Sequence, residues 1–129
     1  MQIHQSAEDY LETILMLTQR MGKVRSIDVV NELGFTKASV SIAMKKLREN
    51  GYIAVDGEGN LTLLEPGREI AERIYSRHRL LTHFFVQLGV DEKTAAEDAC
   101  KAEHILSEQT LEKIREKALQ TDAGQNDPE

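Results

Sequence analysis

The chain has 129 residues, 40% of them hydrophobic and 5% aromatic, and a formal net charge of −6. This length excludes two large domains, and the aliphatic composition argues against disorder over most of the chain. Because Cys100 is the one cysteine, an intrachain disulfide and therefore a stapled secreted scaffold are also excluded.

Neither a targeting signal nor a membrane span is visible in the sequence. Residues 1–10 lack the charged and apolar regions of a signal peptide, and no later stretch approaches the roughly 20 apolar residues that cross a bilayer. We therefore expect a soluble, cytoplasmic protein without a membrane partner.

The charge is distributed unevenly along the chain. Between Arg20 and Arg48 there are seven basic and two acidic residues, a local charge of +5 that leaves −11 on the remainder. A basic head on an acidic body suits a protein that binds nucleic acid, although a short basic stretch is more often a solvated face.

The first predicted element is a helix over residues 7–20. Ser6 and the acidic residues that follow it are typical of a helix start, and apolar residues then recur at helical spacing. Asp9 and Glu12 lie three residues apart, so they project from one face of this helix. Such a pair alone is common on exposed helices.

Two short helices around a tight turn follow. Ser26 is expected to cap a helix over residues 27–33 that ends at Gly34. Thr36 can cap the next helix, over residues 37–50. This order predicts a helix-turn-helix.

A β-hairpin is predicted directly after the second of these helices. Two β-prone runs, 52–55 and 61–64, flank the loop 56–60, which is rich in Gly, Asp and Asn. A hairpin in this place is what distinguishes a winged helix from other three-helix bundles.

The rest of the chain is predicted to be helical. Pro66 fits the first turn of a long helix that stops at Gly89. Asp91 is expected to cap a fifth helix over residues 92–106, and Ser107 a sixth. These helices are expected to form a dimerisation layer.

The predicted fold is therefore mainly α with a small β-hairpin, a winged helix-turn-helix followed by a helical dimerisation domain. We expect a DNA-binding domain over residues 1–65 and a metal-binding and dimerisation domain over 66–120. The polar segment 121–129 is expected to be a disordered tail.

The DNA-reading helix carries small and hydroxyl side chains at its start. In a helix-turn-helix this end reaches the base edges, where Ser and Thr bond to bases or phosphates and Ala and Ile touch thymine methyls. Lysines and Arg25 are better placed for phosphates, with ordinary surface solubility as their alternative role. The predicted DNA-binding residues are Arg25, Thr36, Lys37, Ala38, Ser39, Ser41, Ile42, Lys45 and Lys46.

A second candidate site is formed by carboxylate, imidazole and thiolate side chains. Segment 100–104 holds Cys, Glu and His at positions i, i+3 and i+4, on one face of the predicted fifth helix, and these are ligands for a divalent transition metal. A structural alternative is a buried Cys, a surface Glu and a capping His. His78 lies between arginines, which favours a neutral, metal-bound ring. The predicted ligands are Asp9, Glu12, His78, Cys100, Glu103 and His104, whereas His4 and His83 are expected at the surface.

Four segments together resemble the diphtheria-toxin-repressor family of metal-dependent regulators. They are Glu-Asp-Tyr-Leu-Glu at 8–12, the helix-turn-helix with its wing, Arg-His-Arg-Leu-Leu at 77–81 and Ala-Glu-His-Ile-Leu-Ser at 102–107. The resemblance implies a homodimer that binds double-stranded operator DNA when metal is plentiful and represses metal-uptake genes. It also implies a short form without the SH3-like domain of iron-type members.

The resemblance gives the metal site a mixed character. Asp9 matches manganese-type members, whereas Cys100 matches iron-type members, and a thiolate is softer than the carboxylates that Mn(II) prefers. We expect Fe(II), with Mn(II) close behind, and Co(II), Ni(II) or Zn(II) as substitutes in vitro. Thr82 and Ala96 stand where iron-type members build an ancillary site, so that site is not expected here. A two-metal cluster of the manganese type stays open.

The predicted mechanism is that metal locks the first helix against the fourth and fifth, and so sets two recognition helices about 34 Å apart. One alternative is a metal-independent winged-helix regulator that responds to a small molecule or a protein partner. Another is a small metallohydrolase, but the sequence offers neither pocket-building loops nor a separate general base. We therefore expect a protein that is not an enzyme.

Overall fold

Helices and one short hairpin follow each other in the computed structural model, which describes residues 5–125 and the side chains of residues 6–120. The chain divides into two units, Met1–Arg73 and Ile74–Glu129. None of the described helices is long and apolar enough to cross a membrane. The elements are α1 (Gln5–Met21), α2 (Ser26–Leu33), α3 (Lys37–Glu49), β1 (Ile53–Val55), β2 (Leu61–Leu63), α4 (Glu65–Gln87), α5 (Glu92–Ala102) and α6 (Glu108–Gln125).

The first unit is a winged helix-turn-helix, as predicted. Its core is mainly aliphatic, and α1 contributes five of the buried hydrophobic side chains, more than any other element of this unit. Gly34 ends α2 in the left-handed conformation, with φ +71°, and its N–H bonds to Val30 O. Thr36 caps α3 by accepting the N–H of Ser39. The predicted stop at Gly34 and the predicted cap at Thr36 are therefore confirmed.

The start of α2 differs from the prediction. Arg25, not Ser26, is the N-cap residue, and its N–H donates to the Asp28 carboxylate at 2.9 Å. The reason lies in the hairpin, because Val24 O accepts the N–H of Leu61 at 2.7 Å and Arg25 forms a β-bridge to Asn60. This pairing keeps residues 24–25 extended, so Arg25 is the N-cap and the helix begins at Ser26, one residue before the predicted start.

The wing is the antiparallel pair β1 and β2, with Ile53 opposite Leu63 and Val55 opposite Leu61. Its loop is closed by Asp56, whose carboxylate accepts the backbone N–H groups of Glu58 and Asn60 at 2.9 Å each. The backbone and side-chain bonds from Asn60 hold the pKa of Asp56 below its usual value. The tip of the wing therefore carries a fixed negative charge at neutral pH.

The beginning of α4 approaches the hairpin so closely that it needs a glycine. A Cβ atom at Gly67 would lie 2.2 Å from Tyr52 O and 3.3 Å from Leu11 Cδ2. Tyr52 O cannot move easily, because it accepts the N–H of Leu64 at 3.0 Å. These contacts belong to the first unit, which ends at Arg73, eight residues beyond the predicted boundary. The functional roles assigned to the two domains stay predictions.

Gly67→Ala is therefore expected to destabilise the protein by about 1 to 3 kcal/mol, the usual cost of forcing extra atoms into a packed region. Gly57→Ala is the matched control, since a Cβ there meets nothing within 4 Å and the position has no positive φ. Chemical denaturation of both variants measures the difference. Equal stability of the two would show that α4 does not lie as close to Tyr52 as described.

The second unit is built on the buried side chains of Leu81, Ala99 and Leu111. The predicted caps are confirmed, because Asp91 accepts the N–H of Thr94 and Ser107 accepts the N–H of Thr110. Hydrogen bonds from Thr94 also hold the pKa of Asp91 below its usual value, with the backbone N–H of Thr94 as the largest cause and its hydroxyl as the next.

The predicted ends of two helices in the second unit are wrong. The fifth helix, α5, stops at Ala102 rather than near Leu106, because the N–H of Ile105 bonds to Ala102 O and tightens the chain into a turn. The sixth, α6, continues to Gln125, so residues 121–125 of the expected tail are helical. Extending an existing helix costs far less than nucleating one. Residues 126–129 lie outside the described part of the chain.

Candidate metal centre and nucleic-acid interface

The recognition helix α3 buries one side and exposes the other. Val40, Met44 and Leu47 are buried in the first unit. All nine residues predicted to bind DNA are exposed, including Ile42, whose side chain is 58% exposed. Hydroxyl, apolar and cationic side chains therefore share the solvent side of α3, the combination that base and phosphate contacts require.

The N-terminal turn of α3 is held firmly. Thr36 Oγ1 accepts the N–H of Ser39 at 3.1 Å and donates to Ser39 Oγ at 2.9 Å. These bonds fix the backbone of Lys37 and Ala38, which are exposed at the start of the helix. The end of α3 that is predicted to reach base edges is thus held by hydrogen bonds within its own first turn.

Arg25 lies beside the wing rather than on α3. A Cβ atom at Gly59 would lie 3.3 Å from Arg25 Nη2, so the guanidinium group runs along the wing turn. Asp56 and Glu58 in this turn would repel a DNA phosphate. Arg25 supplies a positive charge at this edge of the wing, which suits its predicted role as a phosphate contact.

The helix α1 presents the two carboxylates that were predicted as metal ligands. Asp9 and Glu12 are three residues apart on α1, one helical turn. Asp9 is half-buried and Glu12 is 6% exposed. A carboxylate so poorly hydrated needs hydrogen bonds, a cation or protonation to stay buried, which distinguishes Glu12 from an ordinary surface Glu.

The other four candidate ligands lie in the second unit, where Glu103 is central. Glu103 Oε2 lies 3.1 Å from His78 Nδ1, and Glu103 Oε1 lies 3.5 Å from His104 Nε2. Cys100 Sγ lies within 4.8 Å of a Glu103 carboxylate oxygen. The structure thus brings together a carboxylate, two imidazoles and a thiol from α4, α5 and the turn after α5.

Burial of these residues contradicts the structural alternative, which required a buried Cys and a surface Glu. Glu103 is 0% exposed and Cys100 is exposed, the reverse of that pattern. The side chain of His104 is 2% exposed and lies beside Glu103. A fully buried carboxylate beside two imidazole rings and an accessible thiol is typical of a ligand cluster.

The cluster forms although α5 ends at Ala102, before the predicted end at residue 106. Glu103 keeps helical backbone angles, φ −59° and ψ −23°, and its N–H still bonds to Ala99 O. Cys100 therefore lies on the helix, Glu103 at its C-cap and His104 in the turn that follows. The expected i, i+3 relation holds for Cys100 and Glu103, whereas His104 is placed by the turn.

The donor set fits a divalent transition metal. Neutral imidazoles and a carboxylate suit Mn(II) and Fe(II), and a thiolate adds preference for softer ions. The carboxylate Glu103 and the imidazole His78 are already within hydrogen-bond distance, so their donor atoms converge without rearrangement. A bound metal would place a cation beside the buried carboxylate of Glu103.

His78 is also one of the residues that line a cavity of about 800 Å³. Thr82, His83 and Ala96 line it, and Thr82 Oγ1 donates to His78 O at 2.7 Å. Alanine offers no side-chain ligand atom, and the absence of an iron-type ancillary site stays a prediction. His83 is exposed, as predicted, and His4 lies outside the described residues.

Sequence reasoning missed one residue of this region. Arg77 Nη1 donates to Glu103 O at 3.1 Å across 26 residues of sequence. The arginine was visible only as the neighbour of His78, and no spacing rule connects it with a carbonyl on another helix. Its contact could be found only from the fold.

Two family models match consecutive parts of the chain. Residues 2–61 match the model described as "Iron dependent repressor, N-terminal DNA binding domain". Residues 64–122 match "Iron dependent repressor, metal binding and dimerisation domain". The matches leave only residues 62–63 between them, at the end of the wing.

Curated relatives are similar over most of their length. The chain is 38% identical over 113 residues to an uncharacterized HTH-type transcriptional regulator of Methanocaldococcus jannaschii, covering 86% of this chain and 90% of that protein. It is 34% identical over 109 residues to the HTH-type transcriptional regulator MntR of Bacillus subtilis, covering 84% and 77%.

Solved structures share the fold. One, described as a manganese-dependent transcriptional repressor complex with manganese, has a TM-score of 0.79 at 30% identity, covering 87% of this chain and 52% of that one. The IdeR structure of T. acidophilum has a TM-score of 0.79 at 22% identity, covering 91% and 55%, and supports the fold alone. The chain thus spans about half the length of these solved structures.

Proposed function

Because the chain belongs to the iron-dependent repressor family, the diphtheria-toxin-repressor type, we propose that it is a metal-dependent transcriptional repressor in the cytoplasm. It binds operator DNA as a homodimer when loaded with Fe(II) or Mn(II) and controls metal-uptake genes. The observation that carries this proposal is the fully buried Glu103 between His78 and His104. A regulator without a metal would have little use for this ligand cluster.

We propose that six side chains hold the metal. Glu103, His78 and His104 are supported by their mutual distances, and Cys100 by its exposed thiol near Glu103. The α1 carboxylates are supported by the low exposure of Glu12 and by the spacing within α1. The proposed ligands are Asp9, Glu12, His78, Cys100, Glu103 and His104.

These ligands come from both proposed domains, 1–65 and 66–120. The α1 carboxylates belong to the DNA-binding part, and the other ligands to the metal-binding and dimerisation part. Ligation by residues of both parts makes metal affinity depend on how the parts are arranged. By thermodynamic linkage, bound DNA must then raise the affinity for metal by the same factor by which bound metal raises the affinity for DNA.

Two other functions are less well supported. A metal-independent regulator leaves the burial of Glu103 and the exposure of Cys100 without a reason. Catalysis has no support either, because the family is one of transcriptional regulators and the buried carboxylate lies between ring nitrogens rather than at an open substrate site.

The function is tested by anaerobic DNA binding with the intact chain. A duplex is first selected from a random-sequence pool by protein loaded with Mn(II) or Fe(II), and its affinity is then measured by fluorescence anisotropy. We expect tight binding with Mn(II) or Fe(II) and weak binding with a chelator. Equal affinity for DNA with metal and with chelator would support the metal-independent regulator instead.

Replacing single lysines on the exposed side of α3 tests the phosphate contacts. Lys45→Ala and Lys46→Ala are each expected to weaken binding to all DNA sequences alike and to reduce the slope of log K against log salt by about 1. Lys113→Ala on α6 is the control, since that lysine pairs with Glu116 on the surface of the second unit. An unchanged salt slope in the α3 variants would remove these residues from the interface.

A further inference from the structure

Arg77 connects three segments of the second unit. It lies on α4, directly before His78, and its side chain is 15% exposed. Nη1 donates to Glu103 O at 3.1 Å in a partly buried hydrogen bond. Nη2 donates to the carboxylate of Glu108, the first residue of α6. One guanidinium group thus holds the end of α5 and the start of α6.

The carbonyl that Arg77 binds belongs to the peptide between two proposed metal ligands. If α5 continued, Glu103 O would accept the N–H of Ser107, but α5 ends at Ala102 and residues 103–105 form a turn. The donor for this carbonyl therefore comes from Arg77. By fixing the Glu103–His104 peptide, this bond fixes the directions in which both side chains leave the backbone.

The contacts of the two ligands depend on that peptide. Glu103 Oε2 lies 3.1 Å from His78 Nδ1 and Glu103 Oε1 lies 3.5 Å from His104 Nε2, so a rotation of the peptide would separate the donor atoms. Arginine suits this task because its planar fork reaches two acceptors at once, whereas lysine offers a single point charge.

We infer that Arg77 is a positioning residue for metal binding, which orients Glu103 and His104 through the carbonyl of Glu103. The inference rests on the proposed metal site. Arg77 does not touch the metal, and its contribution is the geometry of the ligands. Outer partners of this kind typically change metal affinity by about 10 to 100-fold.

The test is an anaerobic Co(II) titration of the full chain with Arg77→Lys and Arg77→Gln. We expect both variants to bind Co(II) about 10 to 100-fold more weakly than wild type. We also expect altered ligand-field absorption at saturating Co(II), since those bands report coordination geometry. Arg115→Gln is the control, because it removes another Arg–Glu ion pair of this unit, with Glu112, away from the ligand turn.

The outcomes separate the inference from the proposed function. If wild type binds no Co(II), the proposed function fails. If wild type binds Co(II) and both Arg77 variants match it in affinity and spectrum, the inference fails and the proposed function stands. A lower melting temperature of the metal-free variants, with wild-type affinity and spectrum, would make Arg77 a structural residue only and would also overturn the inference.

Glu108→Gln separates the two interactions of Arg77, the hydrogen bond to Glu103 O and the ion pair with Glu108. This change weakens the ion pair to α6 but leaves Arg77 free to donate to Glu103 O. We expect less than about a threefold change in Co(II) affinity, because the exposed pair contributes little. A loss as large as that of Arg77→Lys would assign the effect to the ion pair and contradict the role of the carbonyl bond.

Discussion

Glu103→Gln is expected to lower Mn(II) and Co(II) affinity by more than about 100-fold and to abolish metal-stimulated DNA binding. This loss exceeds the one that is typical when a residue that only hydrogen-bonds to a metal ligand is replaced. The neutral amide removes the charge that lies beside both His78 and His104. The metal-free variant is expected to fold, since an amide of similar shape replaces a fully buried carboxylate.

Isothermal titration with metal and circular dichroism of the metal-free protein measure the two effects separately. Glu97→Gln serves as the control, because Glu97 is an exposed carboxylate of the same helix, α5. Wild-type metal affinity in Glu103→Gln would mean that Glu103 is a buried structural carboxylate and not a ligand.

Cys100→Glu is expected to shift metal preference towards Mn(II), by about tenfold relative to Co(II), or about 1.4 kcal/mol. A carboxylate, which the family resemblance implies for manganese-type members at this position, then replaces the softer thiolate. The exposed thiol near Glu103 makes this exchange feasible without repacking the core.

The shift is measured by competition between Mn(II) and Co(II), with Cys100→Ser as the second variant. The serine variant removes the thiolate without adding a carboxylate, so it should weaken both metals. Wild-type protein should show a sulfur-to-cobalt charge-transfer band that both variants lack. Absence of that band in wild type, with unchanged preference in Cys100→Glu, would show that the thiol does not bind metal.

Much of the fold could be predicted because its signals are local. Thr36, Asp91 and Ser107 each cap a helix through a hydrogen bond three residues away, and such caps can be read from sequence. The order of elements then gives the winged helix. The start of α2 could not be predicted, since Arg25 is held extended by pairing with Asn60 of the wing.

The ligand types of the candidate site were predictable from spacing and resemblance, but their burial was not. That Glu103 is fully buried while Cys100 is exposed follows from how α4, α5 and α6 pack, and this pattern separates the metal site from its structural alternative. The end of α5 was missed because residues 103–106 contain neither Gly nor Pro. Arg77 was missed because its partner lies 26 residues away.

The central claim is that metal and DNA binding are coupled in this chain, and reciprocal titration tests it most directly. Mn(II) affinity is measured with and without the selected duplex, and duplex affinity with and without Mn(II). The proposed mechanism predicts that both ratios are equal and lie between about 5 and 150-fold, a coupling of about 1 to 3 kcal/mol. Ratios of one in both directions, with metal bound at the cluster, would contradict it.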